Sequence, residues 1–402
     1  MKEELDQIFA SFNNNAVFKD KAVLQADYVP EEIPHRGEQI KQIASILAPA
    51  LRNEKTSNVF LYGKTGTGKT LSILYLKDEL LKRAVKGADF NLRIEYLNCK
   101  LKKVSDTEYR ILAELIKKLG GNVPDTGLPT ESVYSRFIDL VDSKKQNLIL
   151  VLDEIDQAVK KISTDFLYNL TRINSELSKT KISVVGISND LTFLEGIDPR
   201  VRSSLSEEEI VFPPYNALQL QEILNHRAKM AFKEGIVQEG VIAKCAAFAA
   251  REHGDARRAL DLLRVAGELA ERDGSKKILL KHIDEANTKI EREKILEVIK
   301  TEPKQFQYVL YSIISLSEKN NETFFTGDVY NSYQELCLKN KSEVLTQRRV
   351  GDIIQEFDML GIINVRVISK GRGGRMREIK LAIAKSIVEK AKKLIEESIN
   401  YN

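Results

Sequence analysis

Tryptophan is missing from this 402-residue chain, cysteine occurs only three times, and the net charge is a modest +4. No run of ~18 apolar residues appears, which argues against a membrane-spanning helix. The opening Met1-Lys2-Glu3-Glu4-Leu5-Asp6-Gln7 is acidic and polar and lacks the apolar core of a secretory signal. Cys99, Cys245 and Cys337 lie far apart without metal-ligand spacing, so they read as reduced, structural residues. Reduced cysteines lead to the expectation of a protein inside the cell. With 62 basic against 58 acidic residues, a nucleic-acid surface must come from local clustering rather than from bulk charge. Frequent Lys and Glu without Trp suit a thermophile. The length allows two or three domains with ample buried cores.

What is present is organised around Gly63-Lys64-Thr65-Gly66-Thr67-Gly68-Lys69-Thr70, which fits the phosphate-binding pattern G-x-x-x-x-G-K-[ST]. Asn58 to Tyr62 before it reads as a short buried strand. Leu71, Ile73, Leu74, Leu76, Leu80 and Leu81 after it recur at helical spacing. Strand, glycine loop and helix let backbone N–H groups and a helix N-terminus converge on a polyphosphate. Lys69 is expected to reach the β/γ-phosphates and Thr70 to ligate Mg²⁺. The chain therefore reads as a binder of a nucleoside triphosphate.

In chain order, residues 1–27 read as a flexible arm, and Pro30 and Pro34 bracket an extended stretch. A helix follows, with Ile40, Ile43, Ile46, Leu47 and Leu51 on one face. Leu92, Ile94, Tyr96 and Leu97 give a second strand, and 101–145 is largely helical, a long insertion before the next one. That next strand, Leu148 to Leu152, is a continuous apolar run of the kind buried on both faces of a parallel sheet. It ends in Asp153-Glu154, where open α/β sheets bind ligands. Asp153 is the candidate for positioning Mg²⁺, and Glu154 the candidate base for an attacking water. The strand Ile182 to Ser188 ends at Asn189, which can bond a γ-phosphate and that water, or form a turn before Asp190. Arg200 and Arg202 follow a turn at Asp198-Pro199, either solvated or as a finger donated to a neighbour's ATP. Pro213-Pro214 marks a boundary, after which 216–298 reads as helices. Arg257, in the first turn of the helix opened by Gly254-Asp255, opposes the helix dipole, which points to a ligand or to a surface salt bridge.

The last hundred residues pattern as three helices and a hairpin. Their faces are Phe306, Val309, Leu310, Ile313 and Ile314; then Val329, Tyr330, Tyr333 and Leu336, with Thr326 as N-cap; then Val350, Ile353, Ile354, Phe357 and Leu360. Two alternating strands around 363–367 and 379–383 flank Lys370-Gly371-Arg372-Gly373-Gly374-Arg375. From Ile362 to Lys380 six basic residues stand against one acid. This is the pattern of a winged helix, used for DNA or for protein contact. Gln347, Arg348 and Arg349 are the candidates for the major groove, and Lys370, Arg372 and Arg375 for phosphates or a minor groove.

Together these residues resemble the AAA+ ATPases, and within them the archaeal relatives of the origin recognition and cell-division-control replication initiators. Gly63–Thr70 matches the Walker A motif, Leu148–Asp156 Walker B, Asn189 sensor one, and Gly254-Asp255-Ala256-Arg257 sensor two. Pro34-His35-Arg36 is similar to the family's segment beside the adenine, although the family has a glutamate where this chain has Gly37. His35, Arg36 and Tyr215 join the loop as cofactor-binding candidates. The stretch around 101–130 takes the place of the initiator-specific insertion, and Arg200 that of the finger. The resemblance implies an α/β fold: an AAA+ P-loop NTPase core with a parallel sheet at 28–212, a helical lid at 213–298 and a C-terminal winged-helix domain at 299–402. It also implies a slow, regulatory ATPase in the cytoplasm at the nucleoid, using ATP/ADP and Mg²⁺. Its expected partners are double-stranded origin DNA, the minichromosome-maintenance helicase and paralogous initiator subunits, with no membrane. A clamp-loader-like ATPase and a nucleotide-switched transcription regulator are the rivals.

Overall fold

The apolar run Leu148–Leu152 is the centre of a strand with every residue buried, in a computed structural model that describes residues 16–26, 28–84, 90–100, 107–124, 126–163, 165–205, 207–319, 324–369 and 375–400. Among these, β1 (Asn58–Tyr62), β2 (Asn91–Asn98), β3 (Gln146–Asp153), β4 (Thr180–Ser188) and β5 (Glu207–Val211) form a parallel sheet in the order β2-β3-β4-β1-β5. Because side chains alternate along a strand, the run is divided between two cores. Leu148, Leu150 and Leu152 join Phe60 and Val184 on one face, under α3 (Glu108–Lys118), α4 (Thr130–Val141), α5 (Ile155–Lys161) and α6 (Asp165–Arg172). Ile149 and Val151 join Val59 and Val185 on the other, under α1 (Gly37–Leu47) and α2 (Lys69–Arg83).

The expected insertion contains α3, N-capped by Thr107, and the start of α4; residues 101–106 lie outside those described. Parallel strands in register bring the ends of β1, β3 and β4 to one edge, with Tyr62 opposite Ser188 and Asp153 opposite Ile187. Gly63, Glu154 and Asn189, each the next residue, therefore emerge side by side.

Contacts divide the chain into two units, Met1–Ile283 and Asp284–Asn402. The first also holds α7 (Pro199–Leu205) and the lid helices α8 (Ala217–Ala231), α9 (Val241–Arg251) and α10 (Ala256–Arg272). Asn216 and Gln219 close a reciprocal cap on α8, satisfying two amides that a helix start leaves bare. The flexible arm expected at 1–27 differs from the structure over its described part. Val17, Val23 and Leu24 are buried, and the amides of Lys19 and Asp20 donate to Ala231 O at the end of α8. The polar composition of the stretch masks a few apolar side chains that suffice to dock it.

The second unit begins within α11 (Leu280–Thr301) and continues with α12 (Lys304–Lys319), β6 (Phe324–Phe325), α13 (Thr326–Lys339), α14 (Gln347–Met359), β7 (Ile363–Ser369), β8 (Arg375–Leu381) and α15 (Lys385–Asn400). Its antiparallel sheet has the order β6-β8-β7. Val309, Ile313, Tyr333, Val350, Ile354 and Phe357 fill one core, as their spacing predicts. Three details differ from expectation. The residue with cap geometry before α13 is extended Phe325, whose amide is taken by Asp328, so Thr326 is already inside the helix. Leu360 follows α14 and is 40 % exposed, because the chain turns at Gly361 (φ +69) before that side chain can face inward. A helix after the hairpin, α15, is added to the three helices that the sequence pattern gives. No helix among the described residues is long and apolar enough to cross a membrane.

Asn58 is one polar group on which the core sheet relies. Its side chain donates to Leu205 O and accepts from Val184 N at 2.9 Å, all of it buried. Asn58→Leu leaves a backbone donor and an acceptor without partners, so urea unfolding of the first unit is expected to show a loss of about 1–3 kcal/mol. A midpoint equal to the wild type would mean that both groups find other partners.

Candidate nucleotide-binding site and nucleic-acid surface

The loop between β1 and α2 is held from behind before it can hold anything in front. Arg36, only 2 % exposed, donates through Nε to Thr67 O at 2.7 Å and through Nη2 to Pro213 O at 2.6 Å. Its guanidinium lies 3.8 Å from the centroid of the Tyr215 ring. Burial lowers its pKa and Tyr215 opposes the shift. From the lid, the amide of Ala256 donates to Gly66 O at 3.2 Å, while Asp255 caps α10 by accepting from the amides of Arg257 and Arg258. Gly66 has φ +72, and a Cβ there would lie 1.7 Å from Asp255 Oδ1. Only glycine lets the loop and the lid's helix start approach this closely.

In front, three strand ends converge. Lys69 Nζ donates to Gly63 O at 2.7 Å, to Lys64 O at 2.9 Å and to Asn189 Oδ1 at 2.9 Å. Burial pushes its ammonium down to about 8; Asp153 opposes that shift and Arg257 adds to it. Thr70 Oγ1 and the Tyr96 hydroxyl both donate to Asp153 Oδ2, at 2.8 and 2.7 Å. Asp153 Oδ1 accepts from Glu154 N, and Glu154 itself has the left-handed φ of +55 that turns the chain from β3 into α5. Such a backbone is uncommon for a non-glycine residue and is typical of functional turns. The Glu154 carboxylate lies 3.4 Å from Lys100 Nζ.

Lys69, Thr70, Tyr96, Asp153, Glu154 and Asn189 line a cavity of about 310 Å³ that also takes in Thr65, Gly66, Thr67, Gly68, Tyr215 and Arg257, while Gly63 and Lys64 are not among its lining residues. His35 and Arg36, expected beside the adenine, are not among its lining residues. His35 Nε2 faces Glu222 at 3.0 Å, and Arg36 is the buried strut behind the loop. Arg200 does not line it either: it is 87 % exposed at its side chain and paired with Asp198, while Arg202 reaches Glu209. Residues missed from sequence include Tyr28, Ile33, Tyr96, Ile223 and Arg227. Tyr96 was within reach, since it nears the C-terminal end of a parallel strand beside β3.

In the second unit, Thr346 accepts from Arg349 N and so starts α14, leaving Gln347, Arg348 and Arg349 exposed in its first turn. Lys370 and Arg372 lie outside the described residues; Arg375 opens β8 opposite Ser369.

The strand order, the phosphate loop and a lid whose helix start touches that loop define an AAA+ ATPase module. Residues 52–192 match the family described as AAA domain, 221–288 the Cdc6 AAA+ ATPase-type lid domain, and 297–391 the CDC6 C-terminal winged helix domain. The chain is 52 % identical over 386 residues to the ORC1-type DNA replication protein of Thermococcus onnurineus, covering 94 % of this chain and 92 % of that one. It is 49 % identical over 391 residues to ORC1-type DNA replication protein 1 of Sulfurisphaera tokodaii, covering 97 % and 96 %. Among solved structures, the Aeropyrum pernix ORC1 protein in complex with DNA is 44 % identical with a TM-score of 0.83, over 96 % of this chain and 98 % of that one. Cdc6p from Pyrobaculum aerophilum, 22 % identical with a TM-score of 0.59 over 96 % and 99 %, shares the fold. The chain belongs to the archaeal Orc1/Cdc6 family of AAA+ replication initiators.

The contact at Gly66 can be tested directly. Gly66→Ala must move Asp255 and carries a left-handed backbone cost of roughly 1–2 kcal/mol. Hydrogen exchange at the Arg257 and Arg258 amides, both bonded to Asp255, is expected to accelerate. Unchanged exchange would show that the loop, rather than the lid, gives way.

Proposed function

We propose that this chain is an ATP-regulated initiator that binds double-stranded origin DNA, helps load the minichromosome-maintenance helicase, and hydrolyses ATP slowly. The observation that carries this reading is a phosphate loop bridged to Asn189 and Asp153 and touched by the lid, in one chain with a winged helix that exposes Gln347–Arg349. The Aeropyrum pernix relative was solved in complex with DNA, which supports DNA as a ligand of this chain.

In this reading the loop amides and Lys69 hold the polyphosphate of ATP or ADP. Thr70 and Asp153 present a hydroxyl and a carboxylate side by side, an oxygen donor set that fits Mg²⁺. When bound, Mg²⁺ neutralises phosphate charge. Glu154 orients and polarises the attacking water, and Asn189 bonds water and γ-phosphate. Arg257 reaches the nucleotide of its own chain. Arg200, outside its own cavity, serves a neighbour's ATP, and paralogous subunits are the candidates for that neighbour. On DNA, Gln347, Arg348 and Arg349 face the major groove, and Lys370, Arg372 and Arg375 the backbone or a minor groove.

Mapping bound sites along the chromosome tests the proposal: an initiator concentrates at origins, whereas peaks confined to promoters would make this a gene regulator. At the site, Lys69→Ala is expected to abolish most ATP affinity, whereas Glu154→Gln keeps ATP and stops its hydrolysis. Equal loss of ATP binding in both variants would mean that Glu154 is a binding group.

A further inference from the structure

Arg227 is 5 % exposed, and among the described residues no carboxylate is paired with it. Its guanidinium instead has a carbonyl and an aromatic face. Nη1 donates to Val23 O at 3.1 Å, and Cζ lies 4.5 Å from the centroid of the Tyr28 ring. Arg227 and Tyr28 both line the cavity, with Ile33, Leu74, Ile223 and Leu260 adding apolar wall. The phosphate loop takes the charged end of a nucleotide, so this wall suits the flat, apolar face of a base.

The carbonyl that Arg227 holds belongs to a segment fastened to the lid at several points. Val17 N donates to Glu271 Oε1 at 2.9 Å, and Lys21 pairs with Glu268 at 2.6 Å. The Phe18 ring lies 4.9 Å from that of Phe232, over Gly267, where a Cβ would meet Phe18 at 2.6 Å. That cradle is built for an aromatic side chain. Gln25 and Ala26, just beyond, already line the cavity.

We propose that Arg227 is a positioning residue for the nucleoside end of the nucleotide, locking the lid-bound segment Val17–Leu24 to Tyr28 so that the lid sets the wall against which the base packs. This rests on the ATP reading above. A guanidinium clamped between a carbonyl and a ring fixes both partners' orientation. Lysine keeps the charge but loses the planar stack. The loop and the metal-side carboxylates are untouched by this clamp, so the polyphosphate end does not depend on it.

The test uses the full chain with Mg²⁺ and two probes, ATP and inorganic triphosphate, the latter measured by competition. Arg227→Ala and Arg227→Lys are expected to weaken ATP about tenfold and to leave triphosphate within about twofold. Phe18→Ala, whose side chain is outside the cavity, is expected to weaken ATP in the same selective way. Combined with Arg227→Ala it costs no more than Arg227→Ala alone, since both act through one segment. Equal loss of ATP and triphosphate, wild-type ATP affinity in either alanine variant, or additive losses would each overturn the assignment. A wild-type chain that takes neither probe overturns the nucleotide reading and this inference together.

Discussion

The amide of Ala256 donates to Gly66 O, and Asp255 presses on the same glycine. This contact ties the start of a lid helix to the middle of the phosphate loop, and most of the site's arrangement depends on it. Arg36 holds the opposite side of the loop to Pro213 and Tyr215, so the loop is clamped between the core and the entrance to the lid. A helix start offers bare amides and positive potential, and capping them with Asp255 fixes where Arg257 begins its path into the cavity. Arg257 lines the cavity, and its charge adds to the burial that lowers the pKa of the Lys69 ammonium.

The parallel sheet supplies the second constraint. With β1 between β4 and β5, and β3 beside β4, the ends of three strands bring the phosphate loop that leads to Lys69, Asn189 and Asp153 to one edge. Lys69 is a buried cation satisfied by two loop carbonyls and an amide oxygen, and Asp153 is a carboxylate satisfied by two hydroxyls. Both are hydrogen-bonded in place before any ligand contact, the condition for electrostatic stabilisation that costs little reorganisation. Tyr96 belongs to this set, and burial and Asp153 together push its hydroxyl's pKa well above the usual range, keeping it a donor.

What was legible in the sequence was local. The phosphate loop announced itself by glycine spacing between a strand and a helix, and β3 by its unbroken apolar run. The winged helix was visible in stripes such as Val350, Ile353, Ile354 and Phe357, all of them buried. What was hidden depended on partners far along the chain. Val17 and Phe18 meet Glu271 and Phe232, over two hundred residues away, inside a stretch whose composition is that of a free arm. Arg36 was a cofactor-binding candidate through its resemblance to the family's segment beside the adenine, yet each of its three guanidinium nitrogens donates to a backbone carbonyl. Arg227 could have been noticed: it falls in register with Leu220, Leu224 and Ala231 on the buried stripe of α8, where a charge is out of place unless something answers it.

A loop clamped to a lid can report which nucleotide it holds, and a winged helix in the same chain gives that report something to act on. Regulation of DNA engagement by nucleotide is thus the central claim of the proposed function. The most direct test is the affinity of the intact chain for origin duplex at fixed salt, with ATP and with ADP, beside the same pair of measurements on Lys69→Ala. The account predicts that the wild type distinguishes the two nucleotides and that Lys69→Ala does not. Identical duplex affinity of the wild type with ATP and with ADP would contradict it.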